Sequence, residues 1–146
     1  MKKPHKKLDA WKAALDLVLA IYRETDRFPK EELFGLTGQV RRAAISVPST
    51  IAEGAVRQTK KEFINFLHMA QGSLSELDTQ LELAKRLGYL AEENWTMLDG
   101  KAERIDKMIS GLIRHLKNSR HHGQEASPHA LPVESLWVER RLTPHA

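Results

Sequence analysis

The sequence predicts an all-α protein: an up-down-up-down antiparallel four-helix bundle followed by a flexible C-terminal tail. Apolar residues recur at spacings of three and four in four successive segments, which is the period of an amphipathic helix. Glycine or proline stands in two of the three short stretches between the segments, and short connections make neighbouring helices antiparallel. The composition agrees, because 29% charged and only 6% aromatic residues favour packed helices over a sheet.

The first helix is expected over about residues 8–25. Its apolar stripe consists of Trp11, Ala14, Leu15, Val18, Ile21 and Tyr22. Residues 1–7 precede it as a basic N-terminal arm. The connection that follows has room for one short turn around residues 30–34, because proline and glycine flank it.

The second helix is expected over about residues 37–57, with Thr37 as its N-cap. Pro48 stands in its middle. Proline removes one backbone hydrogen bond and its ring crowds the preceding turn, so we expect a bend there. The hydroxyls of Ser46 and Thr50 are close enough along the chain to bind the freed backbone groups.

The third and fourth helices are expected over about residues 60–87 and 92–119, where apolar residues alternate steps of four and three. Thr59 and Glu62 have the spacing of a capping box at the start of the third helix. Gly88 ends that helix. Each of the two helices is roughly 40 Å long.

An antiparallel turn near residue 57 brings the second and third helices side by side. This register predicts an ion pair between Arg42 and Glu76. It also places Ser46 opposite Ser73, with Gly72 permitting a close approach of the two backbones.

Glu53 lies in the last turn of the second helix, where the helix dipole disfavours a negative charge. Arg57, four residues later, is the expected partner, and an arginine from a neighbouring subunit is the alternative.

The stretch "SVPSTIAEG", residues 46–54, belongs to a longer pattern over residues 34–90. That pattern resembles the 23S rRNA intervening-sequence proteins, a four-helix-bundle family distantly related to accessory proteins of diversity-generating retroelements. Thr50 departs from it, because the family usually has asparagine there. The resemblance implies a ring-like homopentamer and no settled biochemical activity. The residues that carry the family motif are Arg41, Arg42, Ser46, Pro48, Ile51, Ala52, Glu53, Gly54, Gly72, Ser73, Glu76 and Leu87 to Tyr89.

The basic residues predict phosphate-dominated RNA binding. The net charge is +4, and residues 1–120 carry 21 Lys or Arg against 16 Asp or Glu. For any single cluster a solvated surface is the favoured explanation, but a ring of subunits would repeat each weak patch and so strengthen the binding. The candidate nucleic-acid-binding residues are Lys6, Lys7, Arg41, Arg42, Arg57, Lys60, Lys61, Lys85 and Arg86.

We therefore expect a non-enzymatic, oligomeric, cytoplasmic scaffold. Its expected partners are further copies of itself and either a structured RNA or a nucleic-acid-processing protein. The alternative is a protein-partner scaffold with no nucleic-acid role, in which the tail at residues 120–146 recruits the partner through a short amphipathic segment at 133–142.

Enzymatic readings have weaker support. A HEPN-type ribonuclease would use the spacing of Arg114 and His121, but these residues lie where the fourth helix is expected to end. The chain has no cysteine, no P-loop and no Glu followed three residues later by His, so we expect no cofactor and no metal site. No apolar run is long enough to cross a membrane, and no membrane partner is expected.

Overall fold

A computed structural model describes the backbone of residues 1–125 and the side chains of residues 1–119. The described chain contains four α-helices, two short 3₁₀ turns and no strand, which confirms the all-α prediction. The helices are α1 (Asp9–Thr25), α2 (Leu36–Ala55), α3 (Lys60–Arg86) and α4 (Glu92–Glu125), and the 3₁₀ turns are Pro4–Lys7 and Lys30–Glu32.

Each helix contacts the next one in the chain, and α1 also contacts α4, which is the pairing that an up-down-up-down bundle requires. One apolar core runs between all four helices. The largest fully buried side chains are Leu17, Ile21, Val40, Ile51, Phe63, Leu67, Leu77, Leu81, Leu98, Ile105, Ile109 and Leu116.

The helix α1 buries only part of the predicted stripe. Ala14 and Ile21 are fully buried as predicted, but Leu15 and Tyr22 are 37% and 39% exposed, and Leu17, which lies outside the predicted stripe, is fully buried. This helix has apolar residues on two faces, and the helical period alone does not say which face meets the core. An exposed apolar strip is the consequence.

The fourth helix continues to Glu125, beyond the expected end at residue 119. The apolar repeat stops at Leu116, but helical hydrogen bonding needs no apolar side chain. Periodicity therefore underestimates the length of a helix whose last turns are polar. The tail segment at 133–142 lies outside the described residues.

Thr37 is not the N-cap of α2. The helix begins one residue earlier, at Leu36, after Gly35. The Glu32 side chain performs the capping instead, because its Oε2 accepts a 2.9 Å hydrogen bond from the Leu36 amide. Thr37 is buried within the first turn.

Pro48 lies buried inside α2, and the helix continues through it. The neighbouring Ser46 hydroxyl contacts one hydroxyl on α3 and one on its own helix. Ser46 Oγ lies 2.8 Å from Ser73 Oγ on α3 and 3.5 Å from Thr50 Oγ1. The predicted proximity of Ser46 and Ser73 is therefore confirmed, and it ties the middle of α2 to α3.

The close approach of α2 to α3 occurs at Gly54, not at Gly72. A Cβ atom at Gly54 would lie 2.5 Å from Phe66 Cβ and 2.9 Å from Phe63 Cδ2. A Cβ atom at Gly72 would meet nothing within 4 Å. The end of α2 can therefore pack onto the first turns of α3 only because residue 54 is glycine, which has a hydrogen atom in place of a side chain.

Local sequence signals fix both ends of α3. The predicted capping box is confirmed, because Thr59 Oγ1 accepts from the Glu62 amide at 3.2 Å and Glu62 Oε2 accepts from the Thr59 amide at 3.3 Å. Gly88 has φ +81°, and the Tyr89 and Gly88 amides donate to the carbonyls of Ala84 and Lys85. This is the Schellman arrangement that glycine favours.

Replacing Gly54 with alanine should lower the free energy of unfolding by about 1–3 kcal/mol, because the added methyl group overpacks the contact with Phe66. Gly100→Ala in α4 is the matched control. The Cβ atom added at Gly100 would meet nothing within 4 Å. The substitution should raise the free energy of unfolding by up to about 1 kcal/mol, since alanine favours the helix more than glycine does. Urea denaturation measures both. Equal effects of the two substitutions would contradict a tight contact at Gly54.

Candidate nucleic-acid interface

The antiparallel packing sorts the predicted basic residues into two groups at opposite ends of the bundle. Trp11 of α1 and Ala52 of α2 line one cavity, so the start of α1 lies beside the end of α2. Lys60, the first residue of α3, binds Ser119 of α4. The first group is Lys6, Lys7, Arg57, Lys60 and Lys61; the second is Arg41, Arg42, Lys85 and Arg86.

Lys60 is not a surface cation. The residue is 7% exposed, and its ammonium group donates a hydrogen bond to Ser119 Oγ, which in turn donates to the Leu116 carbonyl at 2.9 Å. Lysine is seldom buried without such partners. The structure therefore removes Lys60 from the candidate surface and assigns it to the contact between α3 and α4.

Arg57 does not form the predicted ion pair with Glu53. Its guanidinium lies over the Phe66 ring, 4.5 Å from the ring centroid, while Glu53 is exposed. Stacking on Phe66 keeps the positive charge of Arg57 at the turn between α2 and α3, where the Arg57 side chain is exposed to solvent. Within the described residues no ion pair holds Glu53.

The N-terminal arm is ordered against the bundle. Its turn, Pro4–Lys7, contacts both α1 and α2, and the His5 ring meets the Trp11 ring edge-on at 4.9 Å between centroids. Burial, together with the neighbouring charge of Lys6, lowers the pKa of His5. His5 is therefore neutral at pH 7 and adds no charge to this end.

Four exposed cations of the predicted set remain at this end of the bundle: Lys6, Lys7, Arg57 and Lys61. The Lys6 ammonium donates a hydrogen bond to the Met1 carbonyl. We call these four residues the basic end. They come from three separate elements: the N-terminal turn, the connection after α2, and the first turn of α3.

At the opposite end, Arg41 connects two helices. Its Nε donates to Thr25 Oγ1 at 2.9 Å, and its Nη2 lies 3.0 Å from Asp26 Oδ1. The guanidinium also lies 4.5 Å from the centroid of the Tyr22 ring. Because its side chain is only 20% exposed, Arg41 holds α2 to the end of α1 and presents little charge to solvent.

Lys85 and Arg86 share one carboxylate. Glu82 lies 3.2 Å from Lys85 Nζ and 3.0 Å from Arg86 Nε, and hydrogen bonds from Arg86 and then Lys85 lower the pKa of Glu82. Lys85 also lies 3.8 Å from the centroid of the Trp95 ring. This pair therefore carries less net charge than the sequence suggests.

The predicted ion pair between Arg42 and Glu76 does not form in the described bundle. Arg42 is exposed, and Glu76 Oε1 accepts a 3.2 Å hydrogen bond from Gln80 on its own helix. The register is not the cause, because Ser46 lies beside Ser73 as predicted. Arg42 and Glu76 are both exposed, and Glu76 binds Gln80 instead.

The outer groove between α3 and α4 is acidic. Asp78, Asp99, Glu103 and Asp106 line it, and burial followed by the charges of Asp78 and Glu103 raises the pKa of Asp99. A nucleic acid is repelled from this groove. Among the described residues, no group of histidine, aspartate and glutamate side chains could hold a metal ion.

Sequence reasoning missed the residues that bind these cations in the folded chain. Thr25, Asp26 and Ser119 gave no signal because each is distant in sequence from the residue that it binds. Glu82 had a recognisable signal, since it stands three and four residues before Lys85 and Arg86.

Comparison with protein families matches residues 6–111 to a model described as 23S rRNA-intervening sequence protein. Comparison with curated proteins gives no match. Among solved structures, the chain is similar to a protein of unknown function from the S23 ribosomal protein family of Bacteroides thetaiotaomicron. The identity is 23% and the TM-score is 0.64, over 71% of this chain and 97% of that one. At this identity the likeness concerns the fold alone.

No helix among the described residues combines the length and the apolar character needed to cross a membrane.

Adjacent arginines should respond differently to substitution. Arg41→Ala should lower the free energy of unfolding by about 1–3 kcal/mol, because it removes a hydrogen bond to buried Thr25 and the stacking on Tyr22. Arg42→Ala should change it by no more than about 0.5 kcal/mol, since Arg42 is exposed. Urea denaturation of both variants checks this, and equal losses would refute the bridging role of Arg41.

Proposed function

The chain belongs to the 23S rRNA-intervening sequence protein family, and from that premise we propose that it is a non-enzymatic scaffold that binds structured RNA through its basic end. The observation that supports the proposal is the convergence of Lys7, Arg57 and Lys61 from three separate elements. None of these three side chains has an ion-pair partner within residues 1–119.

Stability does not account for the cation at Lys61. It is the second residue of α3, where the positive end of the helix dipole disfavours a positive charge. An external anion would remove this unfavourable interaction and, together with Arg57 and Lys7, would be held at one end of the bundle. RNA phosphates supply such anions at a regular spacing, so the binding should depend steeply on salt.

The acidic groove between α3 and α4 supports a directional contact. Asp78, Asp99 and Glu103 repel phosphates from that side, so an RNA would approach the basic end and avoid α4. Such contacts recognise the phosphate backbone and tolerate many sequences. In the proposal the protein acts in the cytoplasm, as part of a ribonucleoprotein.

Fluorescence anisotropy with a labelled structured RNA, from about 50 to 300 mM salt, tests the proposal. The Lys7→Ala/Lys61→Ala variant should weaken binding and reduce the slope of log K against log salt by about 1.5, because two phosphate contacts are lost.

The matched control is Arg86→Ala/Lys107→Ala. It removes the same charge from two exposed cations that are already paired with Glu82 and Glu103. Its slope should equal that of the unaltered protein. Equal losses in both variants would mean that net charge alone drives binding, and no binding at the lowest salt would refute the RNA role. A length-matched DNA measures the preference for RNA.

Self-association is the second part of the proposal, as a ring-like homopentamer. Three apolar side chains of α1 are exposed: Leu15 by 37%, Leu19 by 58% and Tyr22 by 39%. Ile45 of α2 is 40% exposed and lines one cavity together with Leu15. We call these four residues the apolar strip. An exposed apolar surface of this kind is typical of protein contacts. A ring needs this strip to meet a different surface on the next copy.

Light scattering after size exclusion measures the assembly. The unaltered chain should have the mass of five copies, and Ile45→Lys should shift it towards the monomer. Met97→Lys on α4 is the control, because Met97 is 38% exposed and Ile45 is 40% exposed. A monomeric unaltered chain, or equal dissociation of both variants, would contradict the apolar strip as the contact.

A protein-partner scaffold without RNA remains the alternative, with a nucleic-acid-processing protein as one form of partner. Because α4 continues to Glu125, a deletion that separates the two roles begins at residue 126. RNA binding should survive this deletion, whereas recruitment through the tail should not.

A further inference from the structure

The groove between α3 and α4 changes its charge along its length. Its acidic part is lined by Asp78, Asp99, Glu103 and Asp106. After Asp106, the chain has no further aspartate or glutamate until Glu125, the last residue of α4. The Lys and Arg residues of that stretch are Lys107, Arg114, Lys117 and Arg120. An RNA is therefore repelled from α4 only along the acidic part of this groove.

One row of α3 residues runs along the groove. Lys61, His68 and Ser75 are spaced by about two helical turns, so they lie on one face of α3. All three residues are exposed, and Ser75 lines the acidic part of the groove. Lys61, which belongs to the basic end, therefore lies at the other end of the same groove.

A matching row runs along α4. Glu103, Ser110 and Lys117 have the same spacing of about two turns. Glu103 lines the acidic part, and Ser110 Oγ accepts a 2.9 Å hydrogen bond from Gln71 Nε2 of α3. Lys117 is exposed and continues this row towards the basic end. The α4 wall of the groove thus changes from a carboxylate to an ammonium group.

The antiparallel register places the two lysines at the same level of the groove. Lys60 at the start of α3 binds Ser119 of α4. Lys61 comes one residue after Lys60, and Lys117 comes two residues before Ser119 on a helix of opposite direction. Lys61 and Lys117 therefore border the groove from opposite walls, and their like charges repel each other.

Arg114 adds a third exposed cation one turn before Lys117, and like charges at this spacing destabilise a helix. The helix dipole gives no compensation, because it favours cations only in the last turn and α4 continues to Glu125. Within residues 1–119, no carboxylate forms an ion pair with Lys61, Arg114 or Lys117. The stability of the bundle does not account for these three cations.

We propose that Lys61, Arg114 and Lys117 form a phosphate-binding groove that continues the basic end along the second half of α4. Lys61 and Lys117 hold one backbone phosphate of an RNA between them, and Arg114 binds a neighbouring phosphate. The acidic part that begins at Asp106 stops the RNA there. This inference rests on the proposed RNA-binding function, and it adds residues from a fourth element to the three that form the basic end.

Fluorescence anisotropy with the labelled structured RNA, over the same salt range, tests the groove. The Arg114→Ala/Lys117→Ala variant should weaken binding and reduce the slope of log K against log salt by about 1.5, because two phosphate contacts are lost.

The matched control is Lys101→Ala/Arg104→Ala. It removes the same charge from two exposed cations of the same helix, which lie among the carboxylates of the first half of α4. Its slope should equal that of the unaltered protein. If Arg114→Ala/Lys117→Ala behaved like this control, the groove would be overturned, and a reduced slope in Lys7→Ala/Lys61→Ala would leave the basic end in place. No binding by the unaltered protein at the lowest salt would overturn both proposals.

Lys117→Glu tests the placement of Lys117 beside Lys61 by two readouts of opposite sign. The new carboxylate can pair with Lys61, so the urea midpoint of the RNA-free protein should rise. RNA binding should fall by more than in Lys117→Ala, since a carboxylate repels the phosphate. The rise in midpoint should disappear when Lys61→Ala is added, because the pair is then lost. An unchanged midpoint in Lys117→Glu, or a rise that persists without Lys61, would contradict the shared phosphate.

Discussion

The contact of Gly54 in α2 with Phe63 and Phe66 in α3 is the packing constraint on which the rest of the bundle depends. A Cβ atom there would lie 2.5 Å from Phe66 Cβ, so α2 can reach α3 only with glycine at this residue. Once the two helices meet there, Arg57 lies over the Phe66 ring. The first turn of α3 is oriented by the same contact: Lys60 points inward to Ser119, and Lys61 points outward. Two adjacent lysines thus have opposite roles because of one packing constraint.

Local features of this fold could be predicted from the sequence. The capping box at Thr59 and the glycine C-cap at Gly88 depend on residues within six positions of one another, and the chain itself brings them together. The sequence predicted the proximity of Ser46 and Ser73, but the close approach of α2 to α3 at Gly54 could not be predicted, because it depends on which side chains of α3 lie beside that residue. The burial of Leu17 in place of Leu15 in α1 could not be predicted either, since the two residues are equally apolar and only the core distinguishes them.

The candidate site was less predictable than the fold for a related reason. Nine basic residues are equivalent in the sequence, but their partners in the folded chain are not. Arg41 binds Thr25 and Asp26, fifteen or sixteen residues away, and Lys60 binds Ser119, which is 59 residues away. Exposed ion pairs contribute only about 0–1 kcal/mol, so the pairing of Arg86 with Glu82 says little about stability. The pairing does lower the positive charge that Arg86 offers to a phosphate. The two ends of the bundle therefore differ in how much positive charge they present to solvent.

The basic end and the apolar strip occupy different places, and this separation is what makes a scaffold physically reasonable. The basic end includes Lys7 and Lys61, whereas the apolar strip runs along α1 and α2. A few phosphate contacts on one subunit give weak binding at physiological salt. Copies joined through the apolar strip would leave both ends free and present the same weak contacts repeatedly. The second contact then becomes intramolecular, which raises the overall affinity without any new interaction. In the proposed scaffold, affinity for RNA would therefore be a property of the assembly more than of the single bundle.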